Sequence, residues 1–277
     1  MQSSCYISSV GVKAKLVIVG SEKFLHELMD HTFWHEFIPS FYISQNEAAP
    51  ITWRVIESEN CHFDYQKHII TVSRDQIRSA IVIIEAMFEK KRQENSLYTL
   101  HGSLIARANS SSAIGCIGNV SGLGKTTLAA YATKHGWTWV ADEKFTILDD
   151  KVVGWTNGIL RDSKTKSASN GITPNPDSEQ YTLRLLCCPI VTSEEFLTRF
   201  SMSHEKKMWI YNDEVTRDIR QVNGILTGFQ DSLQSFDSQK NARMRLAAVT
   251  QLTQTTDGIF LRGNAEVILE EFERILS

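Results

Sequence analysis

One ten-residue run constrains this chain more than any other feature. Gly118-Asn119-Val120-Ser121-Gly122-Leu123-Gly124-Lys125-Thr126-Thr127 follows a short apolar segment, Ala113 to Ile117, and precedes a helical pattern from Thr126 to His135. A strand, a glycine-rich loop and a helix in that order form the setting in which backbone N–H groups converge on phosphate oxygens. Gly122 and Gly124 keep side chains out of that concavity. The helix that follows begins there with free N–H groups and the positive end of its dipole. Lys125 is placed to reach β- and γ-phosphates, and the Thr126 hydroxyl to hold Mg²⁺. The expected cradle is Asn119, Val120, Ser121, Gly122, Leu123, Gly124, Lys125, Thr126 and Thr127. The usual spacing of such loops asks for glycine at position 119, where this chain has asparagine, a residue that tolerates positive φ well.

The rest of the chain reads as an ordinary globular protein. Apolar residues make up 42% of the 277 positions and charged residues 22%, which excludes a disordered chain. The 29 basic and 32 acidic residues leave a net charge of −3, unlike a nucleic-acid-binding surface. No apolar run approaches the ~20 residues of a membrane span, and the N-terminus lacks a signal-peptide pattern. Five cysteines with irregular spacing and no CxxC pair point to a reducing, cytoplasmic setting.

Along the chain, residues 1–95 read as a small α+β segment and 96–277 as a second, catalytic domain. Strands are expected at Lys13–Val19, Ile51–Glu57 and Ile69–Val72, with helices over Glu22–Phe37 and from Ser73 to about Arg92. In the second part, strands are expected at Leu97–Ala106, Ala113–Ile117, Trp137–Ala141, Phe145–Leu148, Tyr181–Leu186 and Met208–Tyr211. Helices are expected at Thr126–His135, Glu194–Arg199 and Ala265–Leu276. The polar stretch 162–179 has no regular pattern and reads as a lid or disordered loop.

The strand Trp137–Ala141 runs into Asp142-Glu143. In a parallel sheet such a strand end lies beside the phosphate loop. A carboxylate there can bind Mg²⁺ or accept a proton from a hydroxyl. Asp149-Asp150 reads as a hairpin turn, and His101-Gly102 lies in the strand that enters this region.

His101-Gly102, then Ser121-Gly122-Leu123-Gly124-Lys125-Thr126-Thr127, then Ala141-Asp142-Glu143 resemble, in order and spacing, the kinase domain of HPr kinase/phosphorylase and its relatives. The likeness covers roughly residues 97 to 150 and does not extend to the C-terminal signature of true HPr kinases. It implies an α/β P-loop kinase domain similar to HPr kinase and phosphoenolpyruvate carboxykinase, with a small α+β N-terminal part. By that resemblance Lys125 and Thr126 serve nucleotide and metal, Asp142 is the catalytic carboxylate, and His101 is its partner. Glu143 replaces a second Asp, as a metal-shell residue with Thr126 and Asp142. The implied cofactors are ATP or GTP and Mg²⁺. The implied reaction is γ-phosphoryl transfer to a hydroxyl of a peptide, protein or small alcohol. A nucleotide-binding regulator and an NTPase with water as acceptor are the alternatives. No nucleic-acid or membrane partner is expected, and a homo-oligomer is compatible with the sequence.

Other features carry simpler readings. His31 and His35, four apart, with His26 and Glu36 nearby, suit an amphipathic helix better than a metal site. Lys90-Lys91-Arg92 reads as a basic helix end. Arg161, Lys164 and Lys166 open the polar loop and read either as cations that close on a triphosphate or phosphorylated product or as a solvated cluster, and Arg217 and Arg220, near Asp213-Glu214, suit surface ion pairs.

Overall fold

The computed structural model describes residues 1–44, 49–118, 120, 122–156, 180–220 and 237–277. These residues form a mixed α/β arrangement with two sheets. The chain divides into two units, Met1–Asn95 with Thr216–Ala242, and Ser96–Val215 with Arg243–Ser277. The single stretch 96–277 read from the sequence is thus interrupted by Thr216–Ala242. That segment brings Ile219, fully buried, into the core of the first unit.

The first unit holds a six-stranded sheet. β1 (Gln2–Ser9) and β2 (Val12–Val19) form a hairpin through Val10 and Gly11, both at positive φ. β3 (Tyr42–Ser44), β4 (Thr52–Glu57), β5 (His62–Asp64) and β6 (Ile69–Val72) complete the order β3-β1-β2-β4-β6-β5. The expected helix over 22–37 is two: α1 (Glu22–Met29), capped by Ser21, and α2 (Phe33–Phe37). His31 precedes α2 and its Nδ1 accepts the Phe33 N–H at 3.1 Å, so the histidine pair does not share one helix face. α3 (Ile77–Glu94) follows a 3₁₀ turn at Arg74–Gln76. Its expected stripe, Ile77, Ile81, Ile84 and Met87, is buried. Arg92 lies in the basic last turn of α3, as expected, but is fully buried. It donates to Glu85 at 2.6 Å, Glu89 at 2.9 Å and Ser9 at 2.6 Å.

The second unit is built on a larger sheet of β7 (Tyr98–Arg107), β8 (Ser112–Ile117), β9 (Trp137–Ala141), β10 (Lys144–Leu148), β11 (Lys151–Trp155), β12 (Tyr181–Val191), β13 (Thr198–Ser201) and β14 (Asp257–Gly263). The order is β11-β10-β7-β8-β12-β14-β13, with β11 also pairing β12 and β9 pairing β7. β8, β12 and β14 are parallel neighbours, whereas β7 runs antiparallel to β8. α4 (Lys125–Lys134) packs on β7, β9 and β12 and against α7 (Ala265–Leu276). Leu128, Ala129 and Ala132 face inward with Ile105, Ile114, Cys116 and Leu185. Alternate residues of the same strands, Leu104, Ala106, Ala113 and Leu186, enter a second core on the opposite face.

Two expectations fail in the last third. Met208–Tyr211 is not a strand but part of α5 (His204–Thr216). Ile210, Tyr211 and Val215 are buried there, a helical spacing too long for a four-residue window to reveal. Residues 194–197 form no helix, and Thr198–Ser201 is the edge strand β13. α6 (Gln239–Thr255) and β14 were not anticipated. The stretch 162–179, with Arg161, Lys164 and Lys166, lies outside the described residues.

Candidate functional site

Two close approaches shape the glycine-rich loop. Gly118, Gly122 and Gly124 take φ values of 144°, 85° and 86°, conformations that a Cβ disfavours. At Gly124 a Cβ would also stand 2.5 Å from the Val191 Cβ. The loop is stapled to the end of β12, where the Val191 N–H donates to the Leu123 carbonyl at 3.0 Å. α4 starts at Gly124 without a side-chain cap, and its first backbone bond is Leu128 N–H to Gly124 O at 2.8 Å. The N–H groups of the first turn therefore lack intrahelical acceptors. The Lys125 ammonium reaches back to the loop, donating to Gly118 O at 2.9 Å and Val120 O at 3.5 Å. Asn119 and Ser121 lie outside the described residues.

The carboxylates reach this loop by a route the sequence did not suggest. β9 is not the neighbour of β8, because β7 lies between them and runs antiparallel to both. Nor do Asp142 and Glu143 end a strand at the sheet margin. β9 and β10 run consecutively along the same edge of β7, and the two acids fall between the register pairs Leu104↔Ala141 and His101↔Lys144. They stand opposite Gly102 and Ser103 at an interruption of one long antiparallel pairing. A bulge just before it and a left-handed Glu143, φ 69°, kink the chain there.

Gly102 permits this arrangement. A Cβ at that position would lie 2.2 Å from the Cys116 carbonyl oxygen, inside any real contact distance. β7 and β8 can therefore approach closely beside the loop. His101, Ser103 and Ile105 alternate onto the face of β7 that carries α4.

Asp142 is buried, 5% exposed. Its Oδ1 accepts the Ser103 hydroxyl at 2.7 Å and the Thr126 hydroxyl at 3.1 Å. Burial, then the nearby Glu143 charge, raise its pKa above the usual carboxylate value, and the two hydroxyls only partly offset this. Glu143 is half-exposed and pairs with His101, whose Nε2 stands 3.2 Å from Oε2. That hydrogen bond, helped by the charges of His101, Lys144 and Lys125, lowers the Glu143 pKa. The histidine expected to partner Asp142 thus partners Glu143, because it lies cross-strand from Lys144 while Ser103 lies nearer Asp142. Ser103 was missed in the sequence, although period-two alternation from His101 places it on the site face.

The site therefore brings together Lys125, Thr126, Asp142, Glu143 and His101, with Ser103 and the first turn of α4. Among the described residues no group of three or more His, Cys, Asp or Glu could hold a metal alone. Mg²⁺ does not ask for one, since it commonly takes one or two protein oxygens together with water and substrate phosphates. The Thr126 hydroxyl and Asp142 carboxylate, already in contact, are oxygen donors of the right kind. No family model matches the chain, and a search of curated proteins returns no match.

Proposed function

We propose that this chain is a P-loop phosphotransferase of the HPr-kinase-like kind, moving the γ-phosphoryl group of ATP or GTP to a hydroxyl acceptor. The observation that carries the reading is the convergence of Lys125, Thr126 and Asp142 at the start of α4, with the His101–Glu143 pair beside them. The uncapped first turn of α4 and Lys125 offer donors to phosphate oxygens. Magnesium, if bound, would be held by Thr126 and Asp142 with Glu143 nearby, and would supply charge neutralisation for the phosphates. Of the two carboxylates, Asp142 is the better proton acceptor, since its surroundings favour the protonated form. In the transfer the acceptor oxygen bonds to phosphorus while the bond to the β-bridging oxygen breaks. The acceptor proton passes to Asp142, and the diphosphate nucleotide leaves. Glu143 stays ionised against His101 and adds to the fixed field of the site. The acceptor is a serine of a peptide or protein, or a small alcohol. The buried free cysteines fit a reducing compartment.

A labelled-nucleotide transfer screen against peptide and metabolite pools tests the reading. Wild type should bind Mg-ATP and label an acceptor. Lys125→Ala should abolish transfer and weaken nucleotide binding. Asp142→Asn should slow transfer by roughly 10²–10⁴-fold with far less effect on nucleotide affinity. Absence of nucleotide binding by wild type would remove the assignment. Phosphate release without an acceptor would make the protein a hydrolase, and binding without turnover a nucleotide switch.

A further inference from the structure

The kink that carries the two carboxylates is held by a residue that the reaction does not touch. Thr156 follows β11 and is fully buried. Its N–H donates to the Lys144 carbonyl at 2.9 Å, and its carbonyl accepts the Asp142 N–H at 3.3 Å. Its hydroxyl lies 3.0 Å from the Lys144 N–H, 3.1 Å from the Lys144 carbonyl, and in a short hydrogen bond to the Asp142 carbonyl. One threonine therefore ties both residues that flank Glu143.

The local backbone explains why a side chain is needed. The β10–β11 hairpin pairs from Leu148↔Lys151 to Phe145↔Trp155, with one register shift between Thr146 and Ile147. At Glu143 the chain turns left-handed and the ladder geometry is lost. The Lys144 N–H donates to the Asp142 carbonyl at 2.9 Å across the kink, and the Thr156 hydroxyl adds a second partner to each of these groups where both residues are buried. On the other side of the same kink, the Glu143 carbonyl accepts the Gly102 N–H at 2.9 Å. Ser103 fixes the Asp142 side chain from β7, and Thr156 fixes its backbone from β11.

We infer that Thr156 is a positioning residue: its hydroxyl holds the Asp142–Lys144 kink and so sets Asp142 toward Thr126 and Glu143 toward His101. The functional part of this inference rests on the phosphotransferase reading above, while the clamp itself does not. Outer partners that orient a metal- or substrate-facing carboxylate typically matter by 10–100-fold in metal affinity or activity.

Two variants test it. Thr156→Val keeps the shape and removes the hydroxyl; Thr156→Ser keeps the hydroxyl. Amide exchange at Lys144 should be slow in wild type, at least tenfold faster in Thr156→Val, and restored in Thr156→Ser. Rapid exchange at Lys144 in wild type, a measurement that needs no variant, would overturn the clamp even if Thr156→Val failed to fold. So would unchanged exchange in a folded Thr156→Val. The second readout is ATP affinity with and without Mg²⁺. Thr156→Val should leave affinity in EDTA unchanged, reduce the gain on adding Mg²⁺ by 10–100-fold, and lower kcat while leaving KM for the acceptor little altered. Loosened exchange with an unchanged Mg²⁺-dependent gain would refute the positioning role. If wild type bound no Mg-ATP, the phosphotransferase reading would fall, and the positioning role would then be decided by the His101 imidazole resonances. A shift in Thr156→Val, reversed in Thr156→Ser, supports it, and no shift overturns it.

Discussion

Asp142 and Arg92 are both charged side chains taken out of water, and they differ in what surrounds them. Asp142 accepts two neutral hydroxyls and faces a second carboxylate. Its pKa is raised, so the folded chain keeps this proton to higher pH than the unfolded chain does. The stabilisation from the protonated form is complete at low pH and is lost as pH rises through the raised folded pKa. Asp142→Asn should therefore stabilise the ligand-free protein at neutral pH by about 0.5–2 kcal/mol, the usual scale of a single stabilising substitution. It should also flatten the loss of stability across the range just above the ordinary carboxylate pKa. Thermal melts from pH 4 to 8 check this, and an equal slope in both proteins would contradict it. Arg92 instead meets two carboxylates and the Ser9 hydroxyl, with no exposed surface. Removing one member of such a cluster leaves buried charge behind, so Arg92→Met should cost about 3–5 kcal/mol in denaturant titration. A loss below 1 kcal/mol would mean that Glu85 and Glu89 find other compensation. Nothing within Lys90-Lys91-Arg92 distinguishes the buried residue from its neighbours: two of its partners, Glu85 and Glu89, lie earlier on the same helix, and the third, Ser9, is distant in sequence.

Elements whose own residues determine their periodicity were legible from the sequence. β6 and β9 occupy the expected residues, and α7 does too, with Ile268, Leu269 and Phe272 buried along one face. α4 also fits, from its three inward residues to Gly136 at φ 85°. Elements whose buried positions are partly polar were not legible. α6 buries Asn241 and Arg245 alongside Val249 and Leu252, so its apolar stripe is thin. The pairing of strands was also hidden. The sequence places Asp142-Glu143 after a strand, but only the antiparallel β7 puts them in mid-edge beside Ser103. The close passage of β7 and β8 that makes this geometry is sensitive to one atom. Gly102→Ala would drive a Cβ into the Cys116 carbonyl, and backbone cannot rotate away as a side chain can. The expected cost is about 1–3 kcal/mol or more, together with loss of the Ser103–Asp142 contact. An alanine variant with wild-type stability and an unmoved Ser103 in its structure would show that the strands can separate freely.

At the scale of the whole chain, two units are built from interleaved sequence. The sequence suggests one division, at residue 95. In space the chain divides there and again around Thr216–Ala242, which belongs with residues 1–95. Ile219 has no exposed surface and joins the cluster that contains Leu16, Val55, Ile84 and Phe88. A fragment ending at residue 95 would lack it, and burying a side chain of that size is worth about 1.5–3 kcal/mol before any cavity term. A fragment 96–277 would carry the same residue with no core to enter, since its partners lie before residue 95. Neither cut at 95 should therefore yield units as stable as in the intact chain. The expected outcome is that 1–95 unfolds at lower temperature or less cooperatively than the same residues in the full protein, as read by amide exchange along α3. Adding a peptide spanning 216–242 should raise its protection. Equal protection in the fragment and the full chain would show that Thr216–Ala242 is dispensable, and the first unit would then be a domain that closes at residue 95.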